Sequence, residues 1–225
     1  MKRIALYGGT FDPFHAGHLA VARGVLRWFA LDEIWLIPAF VAPHKRHKYP
    51  PTPAWHRYAM LALATQDDAK IKVSTIELDA PAQPYTVETL TRLGAELKDE
   101  AQLFFVMGLD SWLDIKTWRE WERVLRLANH IVVARPGYVW TDAHVTPEIR
   151  ASIVNIWGRA PESIAETMLN DGEPHIYATD AVQQDVAATE IRDAVRIGQS
   201  QEWTRLVSPA VAAYIDKYGL YSSGR

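Results

Sequence analysis

Three glycines and two histidines lie close together near the start of the chain, in the segment Gly8-Gly9-Thr10-Phe11-Asp12-Pro13-Phe14-His15-Ala16-Gly17-His18. Because Gly8 and Gly9 carry no side chain, their backbone amides can approach a ligand closely. His15 and His18 are three residues apart at the entrance of a predicted helix, so both imidazole rings can face one bound group. The start of a helix also offers unpaired N–H donors. Together these residues predict a site for phosphate groups.

The same residue types allow plainer interpretations. A glycine pair after a strand also makes an ordinary tight turn, and two histidines at this spacing can bind a metal ion when a third ligand is present. No His, Asp or Glu in the sequence clearly supplies that third ligand. The segment also lacks the Gly-Lys-Ser/Thr ending of a P-loop and the Gly-x-Gly-x-x-Gly pattern of dinucleotide-binding dehydrogenases, so neither class is indicated.

Such a site needs a strand before it and a helix after it, and the hydrophobic pattern predicts both. Short, nearly continuous apolar runs predict strands at Ile4–Tyr7, Ile34–Ile37, Ile71–Ile76, Leu103–Met107 and Ile131–Ala134. Helical periodicity predicts helices at His18–Phe29, Ala54–Ala64, Val87–Leu97 and around Trp112–Leu127. Continuous apolar strands are typical of parallel sheets covered on both faces. The alternation therefore predicts an α/β fold with a doubly wound, mainly parallel sheet.

The last third of the chain follows a less regular pattern. It predicts short helices at Pro147–Trp157 and Pro161–Leu169, a turn at Gly172–Pro174 and an edge strand at His175–Ala178. Thr189–Ile197 and Pro209–Tyr218 predict a C-terminal helical segment. No linker, repeat or low-complexity tract interrupts the pattern, so we expect residues 1–225 to form a single domain.

Composition excludes several classes of protein. The 225 residues include no cysteine, which excludes disulfides, thiolate metal sites and a cysteine nucleophile. The formal charge of -3 argues against bulk binding to nucleic acid. No apolar run approaches the roughly 18 residues of a membrane span, and the N-terminal run Ile4–Tyr7 is shorter than the ~7–15 residues of a secretory core, so we expect a cytoplasmic protein.

The segment from Gly8 to His18 resembles the nucleotide-binding signature of adenylyltransferases in the class I aminoacyl-tRNA-synthetase-like nucleotidyltransferase superfamily. That resemblance implies a Rossmann-like nucleotidyltransferase fold. The superfamily's second motif, Ser-Ser-Thr-x-Ile-Arg, is matched by Ala187-Ala188-Thr189-Glu190-Ile191-Arg192, with alanines in place of both serines. We expect Thr189 to cap the following helix and Arg192 to offer donors to phosphate.

Further motifs narrow the resemblance to bacterial nicotinate-nucleotide adenylyltransferases. They are Pro38, Pro43-His44-Lys45, Arg57-x-x-Met60-Leu61, Tyr85-Thr86-x-Glu88-Thr89-Leu90, Met107-Gly108-x-Asp110, Trp118 and Arg135-Pro136-Gly137. The matches run in order from residue 4 to residue 192. The resemblance implies a transferase of NAD biosynthesis that moves AMP from ATP to nicotinate mononucleotide, with Mg²⁺ carried by the ATP phosphates.

The resemblance also implies roles for individual residues on the ATP side. Gly8, Gly9, Thr10 and Phe11 would line the nucleotide site, and His15 and His18 would contact the phosphates. Asp110 would hold the ATP ribose or adenosine, or else only cap the next helix. Lys45 would reach the phosphates from its loop, or else be a solvated cation in the run His44–Lys48.

On the acceptor side, Thr86 and nearby amides suit a pyridine carboxylate, and Trp118 suits stacking on the ring. Trp118 could equally be core packing, and Arg135 could contact the mononucleotide phosphate or only close its strand. Other acidic residues, Glu77 among them, are interpreted as solvated or ordinary strand and helix charges.

Several alternatives stay open. The acceptor could be nicotinamide mononucleotide or phosphopantetheine, or the donor CTP. With Ala187 and Ala188 in the second motif, the chain could also be a nucleotide-binding sensor with little catalysis. We expect ATP and nicotinate mononucleotide as partners, no nucleic acid and no membrane, and a homo-oligomer stays possible.

Overall fold

The computed structural model describes residues 1–40, 50–82, 84–98, 100–134, 137, 139–182, 186–198 and 201–222. Within these residues one sheet runs through the protein. Its strands are β1 (Lys2–Gly9), β2 (Glu33–Pro38), β3 (Ile71–Val73), β4 (Ala101–Gly108), β5 (Asn129–Val133), β6 (Ile153–Asn155) and β7 (Ile176–Thr179).

The strand order is β3-β2-β1-β4-β5-β7-β6, and every pairing between neighbours is parallel. Successive strands are added in one direction from β1 to β3, and the chain then crosses to β4 on the other side of β1. The order therefore reverses between β1 and β4. In open α/β sheets, the crevice outside the carboxyl ends of the strands at such a point is where ligands bind.

Eight α-helices are described: α1 (Ala16–Trp28), α2 (Ala54–Thr65), α3 (Thr86–Glu96), α4 (Leu109–Leu113), α5 (Trp121–Leu127), α6 (Pro147–Ala151), α7 (Ala188–Arg196) and α8 (Pro209–Tyr218). Short 3₁₀ helices cover Ile115–Thr117, Pro161–Thr167 and Gln201–Leu206. None of the helices in the described part of the chain has the length and apolar content needed to cross a membrane.

Helices cover both faces of the sheet, as the continuous apolar strands predict. On one face α1 packs through Ala22, Val25 and Phe29 against inward side chains of the strands. On the other, α3, α4 and α5 build a second core around Trp112 and Leu125. A third cluster joins α2, α7 and α8. The prediction of a doubly wound, parallel α/β fold with C-terminal helices is confirmed.

Several local predictions differ from the structure. The predicted helix Pro147–Trp157 ends at Ala151, because Ile153–Asn155 pairs with β7 as a strand. Consequently β7 lies between β5 and β6 rather than at the edge.

The predicted helix around Trp112–Leu127 is broken into α4, a 3₁₀ turn and α5, and Glu120 between them has a left-handed φ of 50°. The predicted strand Ile71–Ile76 stops at Val73, where its pairing with β2 ends. The predicted helix Pro161–Leu169 forms a 3₁₀ helix over Pro161–Thr167.

Candidate active site

Two neighbouring pockets lie at the carboxyl ends of β1 and β4, where the strand order reverses. The histidine pocket, of about 40 Å³, is lined by His15 and His18. The larger pocket, of about 200 Å³ and open to solvent, is lined by Gly8, Gly9 and Thr10 and by the start of α3. Both pockets share residues 106–108 at the end of β4. Two ligands bound here would meet at that strand end.

The two histidine rings lie against each other. Their centroids are 3.7 Å apart with the planes inclined by 29°, and the ring of His18 also stacks with Phe14 at 5.5 Å. His15 is 3% exposed, whereas His18 is partly exposed toward its pocket. The backbone N–H of His15 donates to Nδ1 of His18 at 3.4 Å, so a neutral His18 carries its proton on Nε2. That assignment makes Nε2 a hydrogen-bond donor for a ligand.

Phe11, which was predicted to line the nucleotide site, lines neither pocket and packs against the ring of His18 instead. It is buried, has a left-handed φ of 50°, and its ring meets the edge of His18 at 5.1 Å and of Tyr7 at 5.4 Å. A Cβ atom at Gly9 would come within 2.8 Å of this ring, so a larger residue there would displace the ring. The left-handed backbone conformation of Phe11 costs free energy in any residue other than glycine. The surrounding packing must therefore hold Phe11 in place.

Within the described residues, no three His, Cys, Asp or Glu side chains are grouped so as to hold a metal ion. The histidine pair therefore has no third protein ligand in that part of the chain, and a tetrahedral zinc site needs one.

The larger pocket has an aromatic and polar end at the start of α3. Thr86 is the first residue of this helix, and Tyr85 precedes it as the N-cap. Trp118 lies across the pocket and meets Phe105 edge to face at 6.1 Å. The guanidinium of Arg119 lies 4.9 Å from the centre of the Tyr85 ring. Backbone amides at a helix start next to an indole ring suit a planar ring that carries an anion.

Asp110 lines the larger pocket, beside Thr86 and Trp118, and not the histidine pocket. It is the second residue of α4, whose N-cap is Gly108, so its interpretation as a helix cap is wrong. A Cβ atom at Gly108 would lie 2.5 Å from Asp110 Oδ1. The close approach of this carboxylate thus depends on glycine at the end of β4.

Thr189 and Arg192 lie on α7 and line neither pocket. Arg192 Nη1 donates to the backbone carbonyl of Asp12 at 2.6 Å, and Nη2 donates to the Thr189 hydroxyl at 3.0 Å. The N-cap of α7 is Ala187, so the prediction that Thr189 caps this helix is wrong. Arg192 instead ties α7 to the loop between β1 and α1.

Comparison with known proteins identifies the family of the chain. Residues 6–194 match the cytidylyltransferase-like family model. A probable nicotinate-nucleotide adenylyltransferase of Desulfatibacillum aliphaticivorans is 37% identical over 221 residues, which are 97% of this chain and 99% of that protein. One of Chromobacterium violaceum is 36% identical over 219 residues, 97% of this chain and 98% of that protein. The chain belongs to the nicotinate-nucleotide adenylyltransferase family.

A solved member of this family shares the fold. The nicotinic acid mononucleotide adenylyltransferase of Plasmodium falciparum, in its complex with NaAD, superposes with a TM-score of 0.71 at 21% identity and covers 98% of each chain. The sequence-based assignment of the chain to the nucleotidyltransferases is confirmed.

The adenylyltransferase residues predicted from the sequence are partly brought together. The glycines, Thr10, Asp110, Thr86 and Trp118 share the larger pocket, and the two histidines face the adjoining one. Lys45 and Arg135 lie outside the described residues. Their roles in binding and catalysis, like those of the other site residues, stay predictions.

Glu77 is a pocket residue that the sequence reasoning missed. It lines the larger pocket, and its Oε1 accepts the Thr89 hydroxyl at 3.0 Å. Burial raises the pKa of Glu77 to about 7, although the Thr89 bond and the charge of Arg57 act in the opposite direction. Its interpretation as a solvated or ordinary charge is therefore wrong. No local pattern marks it, because the fold alone brings it to the pocket.

Arg57 organises the loops beside the pockets. Its side chain is fully buried and donates to the carbonyls of Thr10 at 2.6 Å, Ala39 at 2.6 Å and Thr52 at 2.8 Å. Burial lowers the pKa of Arg57, while the nearby charge of Asp12 raises it. One guanidinium thus fixes the segments that follow β1 and β2, which are the segments that line the larger pocket.

Proposed function

We propose that ATP binds across the histidine pocket and the adjoining side of the larger pocket, that the mononucleotide binds at the far end of the larger pocket, and that the reaction occurs where the two meet. The reaction of the family transfers AMP from ATP to nicotinate mononucleotide, giving deamido-NAD and pyrophosphate. The observation that carries the proposal is the shared wall at residues 106–108, which brings both pockets to the end of β4. Close approach of two reactants converts a bimolecular step into an effectively unimolecular one.

The donor side uses the first loop. Backbone amides at Gly8 and Gly9 and the Nε2–H of His18 would contact the ATP phosphates, and Asp110 would bind a sugar hydroxyl of the nucleotide. The stacking of His18 between Phe14 and His15 supports this role, because a ring that is already held loses little freedom on binding. Arg192 would act chiefly by holding the Asp12 backbone.

The acceptor side uses the far end of the larger pocket. The amides at the start of α3, with Thr86, would receive the pyridine carboxylate, and the Trp118 indole would stack on the ring. The edge-to-face contact of Trp118 with Phe105 supports this role, because it holds the indole at the pocket wall. Arg135 and Lys45 would add positive charge for the phosphates.

The chemistry needs no general base. An ionised phosphate oxygen of the mononucleotide forms a bond to the α-phosphorus of ATP. The bond from that phosphorus to the oxygen bridging to the β-phosphate breaks, and pyrophosphate leaves with the electron pair. Catalysis is then alignment and stabilisation of the charge that develops on the α-phosphate and the leaving group, which is where the His18 donor acts.

Mg²⁺ would accompany the ATP phosphates. It binds oxygen ligands and keeps several waters, so phosphate oxygens suffice to carry it to a site without an acidic cage. When bound, it would neutralise part of the phosphate charge. We further propose that residues 1–225 act as one nucleotidyltransferase domain in the cytoplasm, where ATP is plentiful.

The decisive experiment measures pyrophosphate release with ATP and each of three acceptors: nicotinate mononucleotide, nicotinamide mononucleotide and phosphopantetheine. We expect the highest kcat/KM with nicotinate mononucleotide and no release without an acceptor. Preference for the amide, or activity only with phosphopantetheine, would overturn the choice of acceptor. ATP binding without any release would favour the nucleotide sensor, and CTP replacing ATP would overturn the donor.

A further inference from the structure

An acidic side chain lines the pocket that the proposed function gives to an anionic ring. Glu77 lies just beyond β3, and its carboxylate is joined to α3 through the Thr89 hydroxyl at 3.0 Å. Thr89 lies one helical turn after Thr86, the residue at which the pyridine carboxylate would bind. Glu77 therefore lies at the same end of α3 as the carboxylate site, inside the same pocket.

The charged and titratable groups around Glu77 are few in the described part of the chain. From α2, Arg57 faces it, but that guanidinium is fully buried and bonded to backbone carbonyls. From α4 and the residue after it, Asp110 and Asp114 line the same pocket, and Tyr85 lines it at the start of α3. On its own segment, Asp79 is exposed. The hydroxyl of Thr89 is thus the group that bonds Glu77 directly.

We propose that Glu77 sets the preference of the acceptor pocket between a pyridine carboxylate and the corresponding carboxamide, through the charge on its own side chain. The inference rests on the proposed function. Nicotinate and nicotinamide mononucleotides have nearly the same shape and share the pyridinium and the phosphate. They differ by one negative charge on the ring substituent. An ionised Glu77 repels the carboxylate but not the carboxamide, whereas a protonated Glu77 repels neither.

The charge on Glu77 changes near neutral pH. Because burial raises its pKa to about 7, the side chain is mostly protonated at pH 6 and mostly ionised at pH 8. The carboxylate is then favoured at low pH and loses its advantage as the pH rises. Repulsion between the Glu77 carboxylate and the pyridine carboxylate in the same pocket changes the preference between the two mononucleotides by about tenfold.

The test is the ratio of kcat/KM for nicotinate mononucleotide to that for nicotinamide mononucleotide, measured from pH 6 to pH 8.5. Taking the ratio cancels titration of ATP, Mg²⁺, the mononucleotide phosphate and groups that act only on the chemical step. We expect the ratio to fall by about tenfold with a midpoint near pH 7 in the unmodified enzyme. A flat ratio would overturn the inference while leaving the proposed function intact.

Three variants assign the effect to this side chain. Glu77→Gln keeps the shape and an acceptor for Thr89 but cannot ionise, so its ratio should stay at the low-pH value at every pH. Thr89→Val removes the bond that lowers the pKa of Glu77, so its midpoint should move to higher pH. Asp79→Asn removes an exposed charge from the same segment and should leave the profile unchanged.

The outcomes separate this inference from the function on which it rests. A pH-dependent ratio that persists in Glu77→Gln would overturn the role of Glu77, although the enzyme still uses both mononucleotides. If neither mononucleotide is converted at any pH, the proposed function fails and this inference fails with it. Binding constants for both mononucleotides, measured by calorimetry at pH 6 and pH 8, should show the same change in ratio.

Discussion

The hydroxyl of Tyr221 donates a 2.7 Å hydrogen bond to Oδ1 of Asp12, a residue 209 positions away in the sequence. Oδ2 of the same carboxylate accepts the backbone N–H of Thr52 at 3.1 Å. Together with Arg192, which holds the Asp12 carbonyl, these contacts tie the loop between Gly9 and His15 to Thr52 and to the last part of the chain. The position of the histidine pair therefore depends on residues that contact no ligand.

Removing the Tyr221 hydroxyl should loosen that loop. In Tyr221→Phe one oxygen of a buried carboxylate loses its partner, which costs about 1–3 kcal/mol of unfolding free energy. We expect this loss in urea denaturation and a rise in the KM for ATP. Tyr218→Phe is the matched control, since this half-exposed ring on α8 lies away from Asp12 and should keep wild-type values. Equal effects in both variants would contradict the positioning role.

The His18 side chain should matter for the rate far more than for binding. Loss of one donor aimed at developing charge typically costs ~2.7–4 kcal/mol of activation free energy, so His18→Ala should lower kcat by about 10²–10³. Steady-state kinetics and ATP titration measure the two effects. His56→Ala, which removes a histidine bonded to Tyr214 outside both pockets, should keep its kcat. Turnover of the His18 variant within a few-fold of wild type would refute the proposed role.

Gly108→Ala should displace the Asp110 carboxylate, because the new Cβ atom would lie 2.5 Å from Oδ1. The backbone at Gly108 has a φ of -75°, which alanine adopts readily, so the fold should survive. Loss of one hydrogen bond to a charged group costs about 1.5–3 kcal/mol, and we expect a KM for ATP at least about tenfold higher.

The matched control for that substitution lies on α3. A Cβ atom at Gly94 meets no atom within 4 Å, so Gly94→Ala should raise the unfolding free energy by about 0.4–1 kcal/mol and leave the KM for ATP unchanged. If Gly108→Ala behaves in the same way, Asp110 does not bind the nucleotide.

Ala187→Ser should strengthen α7. Ala187 is the N-cap of this helix and makes no side-chain hydrogen bond, and Glu190 occupies the third helical position. A serine there completes a capping box and should add about 0.5–2 kcal/mol to the unfolding free energy. Ala188→Ser, one residue inside the helix, lacks this effect and is the control. A rise in ATP affinity in addition would show that the missing hydroxyl also serves the phosphates.

Two buried groups should oppose each other in the pH dependence of stability. Burial lowers the pKa of His130 to about 4 from 6.5, so the stability present above pH 6.5 falls as the pH drops toward 4. Burial raises the pKa of Glu77 to about 7 from 4.5, so the stability present below pH 4.5 falls as the pH rises toward 7. Between about pH 4.5 and 6.5 the two slopes cancel.

In Glu77→Gln, the pH dependence of the unfolding free energy that His130 causes should no longer be cancelled. Relative to the unmodified protein, the unfolding free energy of this variant should increase by about 1.4 kcal/mol per pH unit between about pH 4.5 and 6.5. Urea denaturation at four pH values measures this difference, in which the other titrating groups cancel. Parallel curves for the two proteins would show that Glu77 titrates normally in the folded state.

The sequence predicted the parts of the molecule that depend on local pattern. β1 and α1 follow from an apolar run and a helical repeat on either side of the glycine pair, and the carboxyl end of β1 then places His15 and His18 at the pocket. Thr86 and Trp118 were predicted through the family motifs, which carry information that hydrophobic periodicity lacks.

What the sequence could not predict depends on contacts between distant segments. The three-residue strand β6 is too short to show a period and exists through its pairing with β7. In the sequence, nothing distinguishes Glu77 from a surface glutamate or Tyr221 from any other aromatic residue near the end of the chain. Their places in the structure depend on the hydrogen bonds of Glu77 with Thr89 on α3 and of Tyr221 with Asp12. The buried charge of Arg57 is likewise stabilised by carbonyls from three separate segments.

The end of β4 forms a ridge between two compartments, the histidine pocket and the larger pocket. Residues 106–108 border both compartments, while α1 supplies one outer wall and α3 the other. On the proposed assignment, a small inhibitor in the histidine pocket would compete with ATP alone, and a higher ATP concentration would overcome it. A compound that straddles the ridge would compete with both substrates, and a resistant enzyme would have to alter two helices on opposite faces of the sheet.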